Sequence, residues 1–235
     1  MSSWLQPVED ALDAAPSPVP VFFRDDDAGW GDARLLALLD VFAAPELPVD
    51  LAVIPQELEA GLVRELGARP VGLHQHGLAH VNHEREGRKC EFGPSRDAAA
   101  QRRDIADGRE RLTALLGDRL DPIFTPPWNR CTADTGRVLA DLGFAASREA
   151  RAEPLGVPGL RELPVSVDYV RLSPEELGTR IAAAIGGGAP LGLMFHHAVM
   201  DGADLRRAAD LLSLLAGHER AATARMMDLL GSAVV

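Results

Sequence analysis

Residues 19–32 read Val-Pro-Val-Phe-Phe-Arg-Asp-Asp-Asp-Ala-Gly-Trp-Gly-Asp. The β-branched and aromatic run from Val19 to Arg24 has the composition of a buried strand, and it stops at three aspartates and a glycine, as a strand running into a loop does. Asp32 can cap a helix on which Leu35, Leu36, Leu39 and Phe42 recur at helical spacing, and Pro48 then opens a second apolar run, Val49 to Ile54. A strand, a helix and a strand follow one another, with acids at the C-terminal end of the first. No Gly-rich nucleotide fingerprint follows that strand, which speaks against a dinucleotide-binding fold.

Outward from this stretch the alternation continues. The pattern predicts a helix over Gln56–Leu66, a strand over Pro70–His74, a long helix over Asp97–Leu116 and a strand at Ile123 and Phe124. A helix over Asp134–Leu142, strands over Phe144–Ser147 and Val165–Leu172, and a helix over Glu175–Ile185 follow, then a strand over Leu191–Phe195 and a helix over Leu205–Leu215. Such alternation implies a parallel sheet with helices outside it. About seven units in a chain of 235 residues suit a (β/α) barrel better than an open doubly wound sheet. The expectation is an α/β protein of one domain, residues 1–235, with its core over about residues 19–218. The stretch His83–Arg96 is the longest irregular segment, and long loops in compact domains are often functional.

Bulk properties narrow the function. The net charge of -11 is spread along the chain and no basic stripe interleaves with aromatics, so nucleic acid is not an expected partner. The N-terminal residues lack a basic region followed by an apolar run, and no segment approaches a membrane span, so a cytoplasmic protein is expected. Cys90 and Cys131 are the only cysteines, without C-x-x-C spacing, and read as free thiols. Lys89 stands alone against 23 arginines, which reads as codon bias. Oligomeric state is left open.

The chemistry gathers at strand ends. Four of the seven histidines (His74, His76, His80 and His83) fall within ten residues, and His196 and His197 are adjacent. His76 and His80 are predicted to share one face of a helical turn just beyond a strand. There two imidazoles can share an ion, and a carboxylate from another strand end would complete a three-ligand site. Asp25, Asp26 and Asp27 are costly to hold together unless a cation or Arg24 offsets them. Thr125-Pro126-Pro127-Trp128-Asn129 forms a stiff loop suited to presenting a backbone N–H or a ring face. All these groups lie at C-terminal strand ends, where β/α folds assemble their sites.

In the order and spacing of four motifs the sequence resembles the NodB-homology polysaccharide deacetylases, as a divergent branch. The motifs are Asp26-Asp27, His76 to His80, Pro126-Pro127-Trp128 and Phe195-His196, and the resemblance spans roughly Val19 to Asp201. It implies a distorted (β/α) barrel and hydrolysis of an acyl group, acetyl foremost, from an amino sugar or glycoconjugate by attack of metal-bound water. By the same resemblance Asp27, His76 and His80 hold one divalent ion (zinc first, with cobalt, nickel or iron open), Asp26 is the general base and His196 the general acid. Trp128 gives a backbone oxyanion contact, flanked by Pro127 and Asn129, while Asp25 and His197 support the site. The aspartate register (Asp25-Asp26 or Asp26-Asp27) and the choice between His196 and His197 stay open.

The sequence departs from the family pattern in three places. The glycine expected directly after the aspartate pair is delayed to Gly29, Thr125 stands where an arginine usually precedes the prolines, and the expected tryptophan motif is only Asp168-Tyr169. Arg24, two residues back along the strand, is the candidate to brace Asp26. These departures point to a branch with its own substrate, and the short length and expected cytoplasmic location to a small or carrier-linked acylated amino sugar. The loop holding Asn82, His83, Lys89, Glu91 and Phe92 is a candidate lining of the cleft. Other readings are an amidohydrolase acting on a non-sugar amide and a non-catalytic carbohydrate-binding pseudoenzyme.

Overall fold

The computed structural model describes residues 3–67 and 69–232. In chain order the regular elements begin α1 (Gln6–Asp13), β1 (Val19–Ala28), α2 (Asp32–Ala43), β2 (Val49–Val53), α3 (Ala60–Gly67), β3 (Val71–His76), α4 (Ala98–Leu116) and β4 (Leu120–Thr125). They continue α5 (Ala133–Asp141), β5 (Ala145–Ala146), β6 (Val167–Asp168), α6 (Pro174–Gly186), β7 (Leu191–Phe195), α7 (Gly202–Gly217), β8 (Ala221–Thr223) and α8 (Met226–Ser232). The strands bond in the order β5-β4-β3-β2-β1-β7-β6, with β8 on β1. The registered pairs are parallel. This is the expected α/β class, a distorted (β/α) barrel with seven strands along the sheet path.

The residues cluster into two compact units. The first comprises Met1–Asp26, Gly31–Asp50 and Val165–Val235. In it β1 pairs with β7 from Val21↔Leu191 to Asp25↔Phe195, and β7 pairs with β6. An aromatic run fills its core: Phe23 meets Phe42 edge-on at 5.2 Å, Phe42 meets Phe195 at 5.5 Å, and Tyr169 lies 4.7 Å from Phe195. Each such ring, fully buried, stabilises the unit by roughly 1.5–3 kcal/mol. Capping boxes start α6 (Ser173 with Glu176) and α7 (Asp201 with Asp204), satisfying N–H groups that the helices leave over.

The second unit comprises Asp27–Trp30 and Leu51–Pro164. Here β3, β4 and β5 pair in parallel, with a register irregularity between His74 and Gln75. Phe92, Phe124 and Phe144 stack edge to face beneath α4 and α5, with Ile105 and Leu139 closing the cluster. Phe92, from the long loop, therefore serves as core. The loop is anchored from below.

Local structure corrects several expectations. β1 does not stop before the aspartates but runs through all three to Ala28. Asp32 is the first residue of α2 rather than its cap, because Gly31, in the left-handed region at φ 64°, takes the cap position. α3 starts at Ala60 rather than Gln56, since Ile54 accepts from Glu57 and Leu58 in a turn that delays the helix. The predicted strand Val165–Leu172 is reduced to two residues: the Asp168 carboxylate accepts from the Val170 N–H and turns the chain into a 3-10 helix over Tyr169–Arg171. The helix α1, inside the proline-rich lead-in, and the terminal β8 and α8 were not anticipated. No helix among the described residues is long and apolar enough to cross a membrane.

Candidate metal centre and flanking acid-base groups

Strand alternation sorts the three aspartates before anything else does. Asp25 and Asp27 would share a face and Asp26 the other in regular β geometry. Asp27 leaves that geometry, because its φ of 69° lies in the left-handed region. Gly29 follows at φ 114°, and a Cβ there would lie 2.9 Å from the Glu57 side chain, so the displaced glycine is a packing requirement of this turn.

In the second unit Asp27, His76 and His80 offer ligand atoms all within 4.8 Å of one another. His76 Nε2 is 3.1 Å and His80 Nε2 3.2 Å from the same Asp27 Oδ1. The His76 ring is fixed from behind, where Nδ1 lies 2.9 Å from the Thr125 carbonyl oxygen. A carbonyl only accepts, so Nδ1 carries a proton, and in the neutral ring it is Nε2 that presents a lone pair towards the carboxylate. The Nε2 atoms of His76 and His80 thus converge on one carboxylate oxygen. A carboxylate with two imidazoles is a donor set that fits a divalent transition ion.

The helical turn expected to align His76 and His80 is absent. His76 ends β3, and residues 77–80 form an irregular turn with Gly77 at φ 59° and His80 at φ 57°. Glu91, only 1% exposed, holds this turn by accepting from the N–H groups of Ala79 (2.9 Å) and Leu78 (3.4 Å). Burial pushes its carboxyl above the usual carboxylate range despite these bonds. A Cβ at Gly77 would fall 2.1 Å from Glu91 Oε2 and 2.6 Å from Pro127, so only glycine lets carboxylate, turn and proline loop close together.

Two tryptophans flank His80: its ring centroid is 4.8 Å from Trp30 and 4.4 Å from Trp128. Trp30 was missed by sequence reasoning; its signal was an aromatic directly after an acid-rich strand end. Trp128 and Asn129 both adopt positive φ, 56° and 57°. The turn's backbone bonds use the N–H groups of Asn129 and Arg130 but not that of Trp128. Asp27, His80, Trp128 and Asn129 are four of the five non-glycine residues with positive φ among the described residues. Each costs on the order of 1 kcal/mol, and such strain concentrates at functional sites.

The first unit holds the other candidates. Arg24, fully buried, donates through Nε to Asp26 Oδ1 (2.7 Å) and through a terminal nitrogen to Oδ2 (2.9 Å). Two residues apart, they share a face as strand geometry requires, and the bidentate pair offsets the buried charge. His196, 18% exposed, has Nε2 3.9 Å from Asp26 Oδ2 and Nδ1 3.8 Å from Asp168 Oδ1. Asp168 is a further residue that the sequence reading did not place at a site. Asp25 and His197 are both fully buried: the Asp25 carboxylate accepts from the His197 backbone N–H (3.0 Å), and its other oxygen lies 2.5 Å from His197 Nδ1.

No family model matches the chain, and no curated protein does. Solved structures do share its fold. A protein from Mycobacterium smegmatis assigned as a polysaccharide deacetylase superposes with TM-score 0.72 at 16% identity, over 93% of this chain and 91% of that one. A family 4 acetyl xylan esterase from Clostridium thermocellum in complex with a cobalt ion gives 0.62 at 13% identity, over 90% of both chains. A pseudoenzyme of carbohydrate esterase family 4 from Bacillus anthracis gives 0.64 at 13% identity, over 91% of this chain and 69% of that one. At these identities the likeness is one of fold.

Proposed function

We propose that this chain is a metal-dependent deacetylase of the polysaccharide deacetylase type, removing an acetyl group from an amino sugar on a small or carrier-linked glycan. The observation that carries the reading is the convergence of His76 Nε2 and His80 Nε2 on one oxygen of Asp27. These three residues would hold the divalent ion, zinc foremost. When bound, it supplies Lewis-acid charge that polarises the acyl carbonyl and makes water nucleophilic near neutral pH.

The chain's own groups supply the rest. Asp26, oriented by both Arg24 N–H bonds, takes the proton of the attacking water, with Arg24 in the bracing role. The Trp128 backbone N–H, in a turn stiffened by Pro127 and Asn129, donates to the developing oxyanion. His196, with Asp168 near its Nδ1, gives a proton to the leaving nitrogen as the C–N bond breaks, so that acetate and a free amine result. His197, sealed against Asp25, has no path to substrate and supports the strand end instead. The test is metal content and acetate release together, for wild type, His76→Ala and Asp27→Ala. About one equivalent of zinc or a similar ion, absent from both variants, with acetate released from an N-acetylated amino-sugar oligomer, is expected. Metal retention without acetate from any acylated sugar would replace this reading with a carbohydrate-binding pseudoenzyme, and turnover of simple amides alone with a non-sugar amidohydrolase.

A further inference from the structure

The two candidate histidine ligands are held by different means. His76 ends a strand, and its Nδ1 bonds the Thr125 carbonyl oxygen at 2.9 Å, so ladder and hydrogen bond together aim Nε2. His80 has left the strand. Its backbone sits at φ 57° in the turn clasped by Glu91, where no regular element sets the direction of the side chain. A ligand ring on such a turn needs a fixed neighbour, because an imidazole that rotates about its Cβ–Cγ bond holds an ion less tightly.

That neighbour is aromatic. The Trp30 indole meets the His80 ring edge to face at 4.8 Å with the planes 70° apart, and the Trp128 indole lies 4.4 Å away at 57°. Trp128 belongs to the oxyanion loop, whereas Trp30 takes no part in the proton transfers or the oxyanion contact. Yet Trp30 is tied to the other side of the metal centre. Its N–H donates to the Asp27 carbonyl oxygen (3.0 Å) and closes the turn Asp27–Trp30, which is anchored where the Ile54 N–H donates to the Ala28 carbonyl oxygen (2.9 Å). One short turn therefore delivers a carboxylate to the centre and an indole to the histidine that shares it. Trp30 is only half-buried, so core packing by itself does not call for the largest side chain at this position.

We infer that Trp30 is a positioning residue of the metal centre: packed against His80, its indole sets the imidazole so that Nε2 faces Asp27 Oδ1, 3.2 Å away. This rests on the metal site of the deacetylase reading and not on its substrate. The full chain, stripped of metal, is titrated with cobalt(II), whose visible absorption reports ligand geometry, as wild type, Trp30→Ala, Trp30→Leu, Trp30→Phe and His76→Ala. Denaturant unfolding of each apo-protein is measured alongside.

Trp30→Ala and Trp30→Leu should weaken cobalt binding about tenfold and alter the visible spectrum of the bound ion. Trp30→Phe, which restores a ring, should return affinity to within about threefold of wild type, with the wild-type spectrum. Leucine and phenylalanine both supply apolar bulk, so the difference between them separates ring packing from stability. Wild-type affinity and spectrum in Trp30→Leu overturn the inference, whatever happens to the unfolding midpoint, and so does a Trp30→Phe protein no better than Trp30→Leu. The two ideas fail differently. Wild type that binds no cobalt removes the metal site and the role of Trp30 with it, whereas binding lost in His76→Ala but kept in Trp30→Leu leaves the site and removes only that role.

Discussion

Two aspartate–histidine constellations, built from residues two apart on one strand, have opposite surroundings. In the first unit Asp25 and His197 are fully buried and locked to each other by two contacts, one of them to backbone. In the second unit Asp27 is 16% exposed and shared between the Nε2 atoms of two histidines. The first is closed: each polar atom named there has its partner, and nothing can enter. The second is partly open, with strained backbone around it. Identical residue types thus become a sealed pair or a candidate site according to what closes over them.

The largest effect that would break this contrast is in the sealed pair. Asp25→Ala leaves the His197 groups buried without their carboxylate, and should cost about 3–5 kcal/mol of unfolding free energy by denaturant titration. Metal affinity of the folded fraction should change little. A metal loss equal to that of Asp27→Ala would show that the two constellations are one functional unit. Next, His76→Ala should lower metal affinity by more than about 100-fold in a competition with a chelator, with modest change in apo-protein stability. If zinc affinity survives, the open constellation is another structural pair.

Glu91→Gln sharpens the comparison at an intermediate scale. It keeps one acceptor for the Ala79 and Leu78 N–H groups but loses the charge, so metal affinity should fall by about tenfold while the fold holds. Cobalt absorption spectra would show whether the His80 turn has moved. The smallest effect concerns the thiols. Burial pushes the Cys131 thiol up to about 12 and raises that of Cys90. A raised thiol pKa keeps the protonated form in the fold, so alkylation of folded protein at pH 8 should run at least about tenfold slower than in denaturant. As pH rises from the unfolded thiol value through the folded one, this contribution of Cys131 to stability is lost, because the unfolded chain ionises first. Fast labelling of the half-buried Cys131 in folded protein would refute its raised thiol pKa.

Legibility in the sequence followed the range of the interactions. β7 was read with its observed bounds and α4 to within one residue, because apolar periodicity and the Asp97 cap are local signals. The Val165–Leu172 strand and the start of α3 were misjudged where a single side-chain or turn hydrogen bond redirected the backbone. Motif order put Asp27, His76 and His80 on one list of ligands, and the fold brings those atoms together. Trp30 and Asp168 were missed because their roles depend on neighbours distant in the chain, His80 for one and His196 for the other.

From the chain alone came the α/β alternation, the strand-end position of the acids and histidines, and the candidate ligands, since periodicity and motif spacing are written in local order. Long-range packing settled which aspartate is sealed and which is open. It also replaced the expected helical turn at His80 with a strained one clasped by Glu91, and set Arg24 in a bidentate grip on Asp26. Burial, backbone sign and convergence of ligand atoms are properties of assembled neighbours, and a run of residue types carries them only in part.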